Sequence, residues 1–286
     1  MTSDSNTPVL VGASQITARE PDDQRTPIGL IAEAARAAAA DCGIDGVLRH
    51  IQSLTCLNIL APAYPDAPAS LAQTLGIDPG ERFYTPIGGN MGQWLVGYYA
   101  DRIAADELDC ALIAGGEALA TQMRDKGAGL SGVIDTEAGE GPRLLGDDRE
   151  PTNPAEQRHG LNLPVQIYPL FEQALRGQYG RDPAAHRQAL GELYAGFNAV
   201  AMNNPKAWRR EPLSAADIAE RTPENRMVGA PYTKRMNAII AVDQAAALVM
   251  MSAAKARALG IDPRRWVYPM AAADASDRWF VSERAE

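Results

Sequence analysis

Residues Asp109-Cys110-Ala111-Leu112-Ile113-Ala114-Gly115 are apolar at every position after the aspartate. A strand that can be apolar on both sides is covered on both faces of its sheet, the condition of a layered α/β protein. The segments before it fit that architecture. Residues 8–15 form a short apolar run ending in small residues, the pattern of a first buried strand. Pro27 marks a helix start, and Ile28, Leu30, Ile31, Ala34, Ala35 and Ala38 follow at helical spacing. Gly43 suits the left-handed cap that ends this helix. Residues 51–60 predict a second strand, 69–75 a short helix closed by Gly76, 83–87 a third strand and 91–105 a third helix. Strands alternating with helices imply parallel pairing through right-handed crossovers, so the fold class over residues 8–117 is α/β.

The middle of the chain changes character. Residues 121–154 are rich in Gly, Asp and Glu and read as a long loop. From 163 to 201 the spacing of Tyr168, Phe171, Leu175 and Tyr179, then Leu190, Leu193, Tyr194, Phe197 and Val200, is helical. Ser214 is a candidate N-cap for a short helix over 214–220, with Asp217 three residues on. Residues 246–251 and 266–272 predict two further strands, with a short helix at 252–259 between them. The sheet is thus interrupted by a helical insertion.

Composition excludes several classes of function. The formal net charge is −9 and no extended basic cluster occurs, against the pattern of a nucleic-acid binder. No run of about 18 apolar residues is present, so no membrane span is expected. The polar N-terminus lacks the apolar core of a secretory signal. Three widely spaced cysteines make no disulfide framework, and a cytoplasmic location follows as the expectation. His50, His159 and His186 have no metal-ligand spacing with each other or with cysteine, so no metal site is expected. His50 and His186 read as surface residues. His159, just before the insertion, is the best catalytic candidate of the three, although its sequence setting favours a structural role.

Two local features could carry chemistry. Ile87-Gly88-Gly89-Asn90-Met91-Gly92-Gln93 joins a strand to a helix. Helix N-termini present free N–H groups, and glycines admit close approach of a ligand to the backbone. Gly115-Gly116-Glu117 stands at the end of the fourth strand, where ligand sites gather in parallel sheets, although its position alone favours a solvated Glu at a loop start. Cys42, Cys56 and Cys110 lie at a helix end and inside strands, not at a helix N-terminus beside a base, and read as packing residues.

Taken in order, the strand, glycine turn, long helix and Ala114-Gly115-Gly116-Glu117 resemble the N-terminal half of a thiolase, an acetyl-CoA acetyltransferase. Met236-Asn237-Ala238, then Asp243-Gln244-Ala245-Ala246-Ala247 through Ser252, with Lys255 and Leu259-Gly260 after it, resemble the thiolase return strand and its helix. Tyr168-Pro169-Leu170-Phe171-Glu172, Asn204-Pro205, Asn225-Arg226-Met227 and Pro231-Tyr232-Thr233-Lys234 resemble a divergent thiolase-like branch. The resemblance implies a layered βαβαβ half with a mixed five-stranded sheet: an α/β domain over 8–120, a loop domain over 121–235, return strands over 236–275 and a tail over 276–286 toward a second half.

It also implies acyl-CoA or coenzyme A as ligand, with no tightly bound cofactor. Arg226, Met227, Tyr232, Lys234 and Asn237 are then the candidate contacts. A homodimer through the third strand, or a second thiolase-like half or subunit, is the implied partner. The chain departs from the family at its nucleophile. Matching the glycine of the thiolase Cys-x-Ser-Gly to Gly92 puts Gly89 at the cysteine and Met91 at the serine, with Asn90 between them. Ile239 stands where the family has a pantetheine-facing serine. Glycine cannot carry an acyl group, so thiolase cleavage by the usual covalent route is not expected. Two readings remain at this point: a thiolase-like acyltransferase, or a non-catalytic binder of coenzyme A or a lipid intermediate that serves as a partner subunit.

Overall fold

The computed structural model describes residues 4–20, 22, 25–124 and 141–284. The chain divides into two compact units, residues 1–148 with 240–275, and residues 149–239 with 276–286. In the first unit the elements run β1 (Pro8–Thr17), α1 (Pro27–Asp41), β2 (Ser53–Cys56), α2 (Ala67–Leu75), β3 (Glu81–Tyr84), α3 (Met91–Ala104), β4 (Cys110–Ala118), α4 (Leu119–Arg124) and β5 (Arg143–Leu144). The second unit supplies α5 (Pro154–Arg158), α6 (Pro164–Gln178), α7 (Pro183–Ala201), α8 (Ala215–Ala219), β6 (Met227–Gly229) and β7 (Tyr232–Thr233). The chain then returns to the first unit with β8 (Asp243–Ser252) and α9 (Ala253–Ala258).

The sheet order is β1-β8-β4-β2-β3-β5. It is mixed, as the resemblance implies, with the parallel pairing that alternation of strands and helices implies confined to part of it. β2 lies parallel to β3 and β4, but β8 is antiparallel to both β1 and β4. The physical reason is that β8 enters from the insertion rather than through a crossover helix. The six strands also exceed the expected five, because Arg143 and Leu144 pair in parallel with Phe83 and Tyr84. The outer edge of β3, expected to pair with a second copy, is therefore occupied at these residues by the chain itself. Of the loop expected over 121–154, residues 125–140 lie outside the described residues.

The apolar run of β4 is explained by its two covers. Cys110, Leu112 and Ala114 pack with α1 and α2 through Ile31, Ala35, Ala38 and Leu71. Ala111 and Ile113 point the other way, to Leu95, Tyr99 and Ile103 of α3. This is period-two alternation in which both faces meet helices. β8 does the same, with Val249 and Met251 toward α1 and Met250 toward α3. The far side of α3 is partly covered by the chain after β8, where Gly97 admits the Ala272 methyl.

Proline trims the strands. Residues 83–87 shorten to β3 because Pro86 has no N–H to donate. The strand expected at 266–272 reduces to one bridge, Leu10 with Val267, closed by N–H···O bonds of 2.9 and 3.0 Å. Pro269 follows and cannot continue a ladder. Where β8 begins, the carboxylate of the buried Asp243 accepts from Arg25 at 2.9 Å, the Thr121 hydroxyl at 2.7 Å and the Thr121 amide at 3.0 Å.

The second unit has a small core of Leu190, Ile218, Ala219 and Met236. It relies on buried polar pins. The Asn225 amide group donates to the carbonyls of Asp217, Ile218 and Glu220, and its oxygen accepts from the Arg235 amide. His186, expected at the surface, is 1% exposed, and its Nε2 lies 2.8 Å from Glu172 Oε1. The Tyr232 hydroxyl donates to the other oxygen of Glu172, so α6, α7 and β7 are joined through one carboxylate. Residues 276–286 belong to this unit, where the Trp279 indole donates to the Glu150 carbonyl at 2.6 Å and the Ser282 amide to Glu156 at 2.7 Å.

Candidate functional site

The parallel strands β2, β3 and β4 end together, and the chain leaving each end carries polar side chains. After β2, the Asn58 amide donates to Thr85 Oγ1 at 3.0 Å and the Ile59 amide to the Tyr84 hydroxyl at 2.7 Å. The Leu60 amide donates to Glu117 Oε1 at 2.6 Å. These bonds hold the loop after β2 across the ends of β3 and β4.

A cavity of about 470 Å³ opens beside this loop. Leu57, Val96, Ile113 and Leu248 give it apolar walls, and Gly92, Gln93, Gly116 and Glu117 border it. It thus lies between the first turn of α3 and the ends of β4 and β8. Glycine is required at one of these positions: a Cβ on Gly116 would stand 2.6 Å from the Ala245 methyl and 2.7 Å from the Gln244 carbonyl oxygen. The first amides of α3 have no partner one turn back within the helix, and the positive end of its dipole lies here.

Glu117 differs from the solvated residue that its position in the sequence favoured. Oε1 is bonded, but Oε2 is buried and no described residue bonds it. Burial pushes the carboxyl up to about 7, opposed only by the amides of Leu60 and Ala61. Tyr84 is pushed up to about 12, again chiefly by burial. The three thiols are buried and free. Burial raises Cys42 to about 11 and holds Cys56 and Cys110 higher still, so none is a thiolate near neutrality.

The structure separates the other sequence-derived candidates. Gly89 is exposed, and a Cβ there would meet nothing within 4 Å. Asn90 caps α3 without a side-chain bond and lines a second cavity of about 610 Å³ with Gln93, Trp94 and Tyr98. Residues 271–275 form its opposite wall. Met91 is buried, and Gly92 faces the first cavity. His159 is an exposed residue ending α5 in the second unit.

Arg226, Met227, Tyr232, Lys234 and Asn237 gather on and beside the β6–β7 hairpin, where the Lys234 amide donates to the Arg226 carbonyl at 2.9 Å. Arg226 and Lys234 are exposed and form no ion pair among the described residues, whereas Tyr232 is engaged by Glu172 and Asn237 by the Thr233 carbonyl. Among the described residues no group of His, Cys, Asp and Glu could hold a metal ion, and no helix is long and apolar enough to cross a membrane.

No family model and no curated protein matches the chain. Solved structures do. A monomeric SCP2-thiolase-like protein type 1 from Mycobacterium smegmatis is 32% identical over 92% of this chain, with a TM-score of 0.73. The chain is a relative of the thiolase superfamily. It spans half the length of that structure. An Ltp2–ChsH2(DUF35) aldolase shares the fold at 21% identity and TM-score 0.61, over 88% of this chain and 57% of that one. So does an acetyl-CoA acetyltransferase from Syntrophomonas wolfei, at 18% and 0.53, over 90% of this chain and 67% of that one.

In this thiolase-like chain two residues of the glycine turn read from the sequence line cavities, Asn90 on one side of α3 and Gly92 on the other, while Gly88 and Gly89 line neither. What the sequence reading did not favour is that Glu117 is half-buried and lines the first, 470 Å³ cavity. The available signal was its place at the carboxyl end of a fully apolar strand, one residue after two glycines.

Proposed function

We propose that this chain binds an acyl-coenzyme A type thioester, with the acyl group in the cavity between the first turn of α3 and the ends of β4 and β8, and forms no acyl-cysteine. The supporting observation is that cavity: apolar walls sized for a short acyl chain, bordered by helix N–H groups that suit a polarised carbonyl. Against covalent transfer stand Gly89, which has no side chain to acylate, and three thiols buried in packing positions. On this reading the chain keeps the ligand of an acyltransferase family while lacking its nucleophile. It acts as a binder or partner subunit, or on the thioester without a covalent intermediate. Arg226 and Lys234, exposed and without an ion pair among the described residues, are the proposed phosphate contacts, as the resemblance implies for this segment. A partner that supplies a second thiolase-like half or subunit, and a reducing, cytoplasmic setting for the free thiols, belong to the same proposal.

Calorimetric titration with butyryl-CoA, beside an assay of acetoacetyl-CoA cleavage and intact-mass analysis, is the test. Binding with no mass increase on any cysteine is expected, together with loss of affinity in Arg226→Ala. A thioester on Cys42, Cys56 or Cys110, or no binding, would overturn the proposal.

A further inference from the structure

Four large apolar side chains wall the cavity between α3 and the ends of β4 and β8, and Leu57 is placed differently from the other three. Val96 stands on α3, Ile113 on β4 and Leu248 on β8, whereas Leu57 follows β2 on a loop. Its side chain reaches across the gap between helix and sheet. A Cβ on Gly92, in the first turn of α3, would lie 3.9 Å from Leu57 Cδ2. A Cβ on Gly115, in β4, would lie 2.8 Å from Leu57 Cβ and 3.5 Å from Cδ1. Glycine on both sides therefore leaves the leucine its room. The loop that carries it is pinned. The Leu57 amide donates to the Ala114 carbonyl at 2.9 Å, and the next three amides donate to Thr85, Tyr84 and Glu117. The leucine is half-buried and also packs against the core cluster that contains Leu95, Ile113 and Met250. It is at once a wall of the cavity and an edge of the core.

We propose that Leu57 sets the length of acyl chain that this cavity accepts. The inference rests on the thioester-binding reading. A chain entering an apolar cavity gains about fourfold in affinity for each methylene that leaves water for the wall. The gain stops at the side chain that closes the path. Val96, Ile113 and Leu248 line the helix and the sheet, so they form the sides of the space. Leu57 alone of the four stands across it, between Gly92 and Gly115. Truncation to alanine leaves the backbone bonds of the loop in place and opens the gap toward the cluster behind. A methyl on Gly92 does the reverse. At 3.9 Å from Leu57 Cδ2 it makes an ordinary contact, and it fills the same gap from the helix side. The residues that line the cavity include no Lys, Arg or His, so what they select is apolar length rather than a charged chain end.

Calorimetric titration with straight-chain acyl-CoAs from acetyl to decanoyl, in the wild-type chain, Leu57→Ala and Gly92→Ala, is the test. In the wild type, affinity rises about fourfold with each added methylene up to a limiting length and then levels off. Leu57→Ala moves that limit about three carbons longer, the number its truncation removes. Gly92→Ala moves it about one carbon shorter. A limit at the same length in all three proteins overturns the assignment, as does a wild-type affinity that rises without a limit. A Leu57→Ala chain that binds every length more weakly by one common factor also overturns it, because the leucine then only supports the fold. Each of these results leaves the thioester reading standing. Acyl-CoAs that bind no better than coenzyme A at any length, or that fail to bind, overturn that reading together with this inference. Should Leu57→Ala fail to fold, Gly92→Ala decides alone, since alanine is favoured over glycine in a helix. An unmoved limit in that variant counts against the proposal.

Discussion

Glu117 links pH to stability, independently of any ligand. Its carboxyl is raised from the ordinary 4.5 to about 7 in the folded chain. A raised acid binds its proton more tightly when folded, so the native state is favoured below pH 4.5. That contribution is lost as pH rises from there through about 7. Glu117→Gln removes the titration while keeping the bond to the Leu60 amide. Melting curves should show the variant a few degrees more stable than wild type at pH 8, with no gain at pH 4.5. Equal melting temperatures at pH 8 would show that the ionised carboxylate finds solvation that its burial denies. The residue was legible as a feature in the sequence, at the end of an apolar strand. Its burial was not, because that depends on the loop after β2, which folds over it from 57 residues earlier in the chain.

At the scale of elements, β1 and α1 meet through a contact only glycine allows. A Cβ on Gly12 would collide with the Ala38 carbonyl oxygen and stand 2.6 Å from Cys42 Sγ. β1 also shifts register against β8 between Leu10 and Gly12, a bulge that places this glycine under the helix. Gly12→Ala should therefore cost about 1–3 kcal/mol, read as a lower denaturation midpoint, since backbone on both sides must move. A variant as stable as wild type would mean that α1 can lift without loss.

The strands and helices were largely readable from periodicity and helix-end signals: Pro27 opens α1, Gly76 closes α2 and, in the second unit, Ser214 caps α8 with Asp217 in reply. The direction of β8 was not readable, because an apolar strand looks the same pointing either way. His186 was misread for a related reason. Its helix is apolar at helical spacing, yet Phe197 and Val200 are exposed at 62% and 72% while the histidine is buried. A carboxylate from another helix, invisible to spacing along one helix, makes that burial tolerable.

At the scale of the molecule, the chain leaves its sheet after β5, builds the second unit, and comes back with β8 to lie between β1 and β4. Among the described residues β1 has no ladder partner but β8, apart from the single bridge to Val267, and its nine register pairs with β8 join residues more than two hundred positions apart. On a ribosome, the first strand of this sheet to emerge is thus among the last to be satisfied. A stalled nascent chain ending at residue 239 should leave the amides of β1 open to hydrogen exchange, and one ending at 275 and clear of the exit tunnel should protect them. Protection already present at 239 would mean that β1 borrows another partner during synthesis. Until the return strand arrives, a ten-residue strand with an apolar first half stays open to any other chain that offers an edge. Newly made copies therefore depend on whatever shields them during translation, a vulnerability that the finished fold conceals.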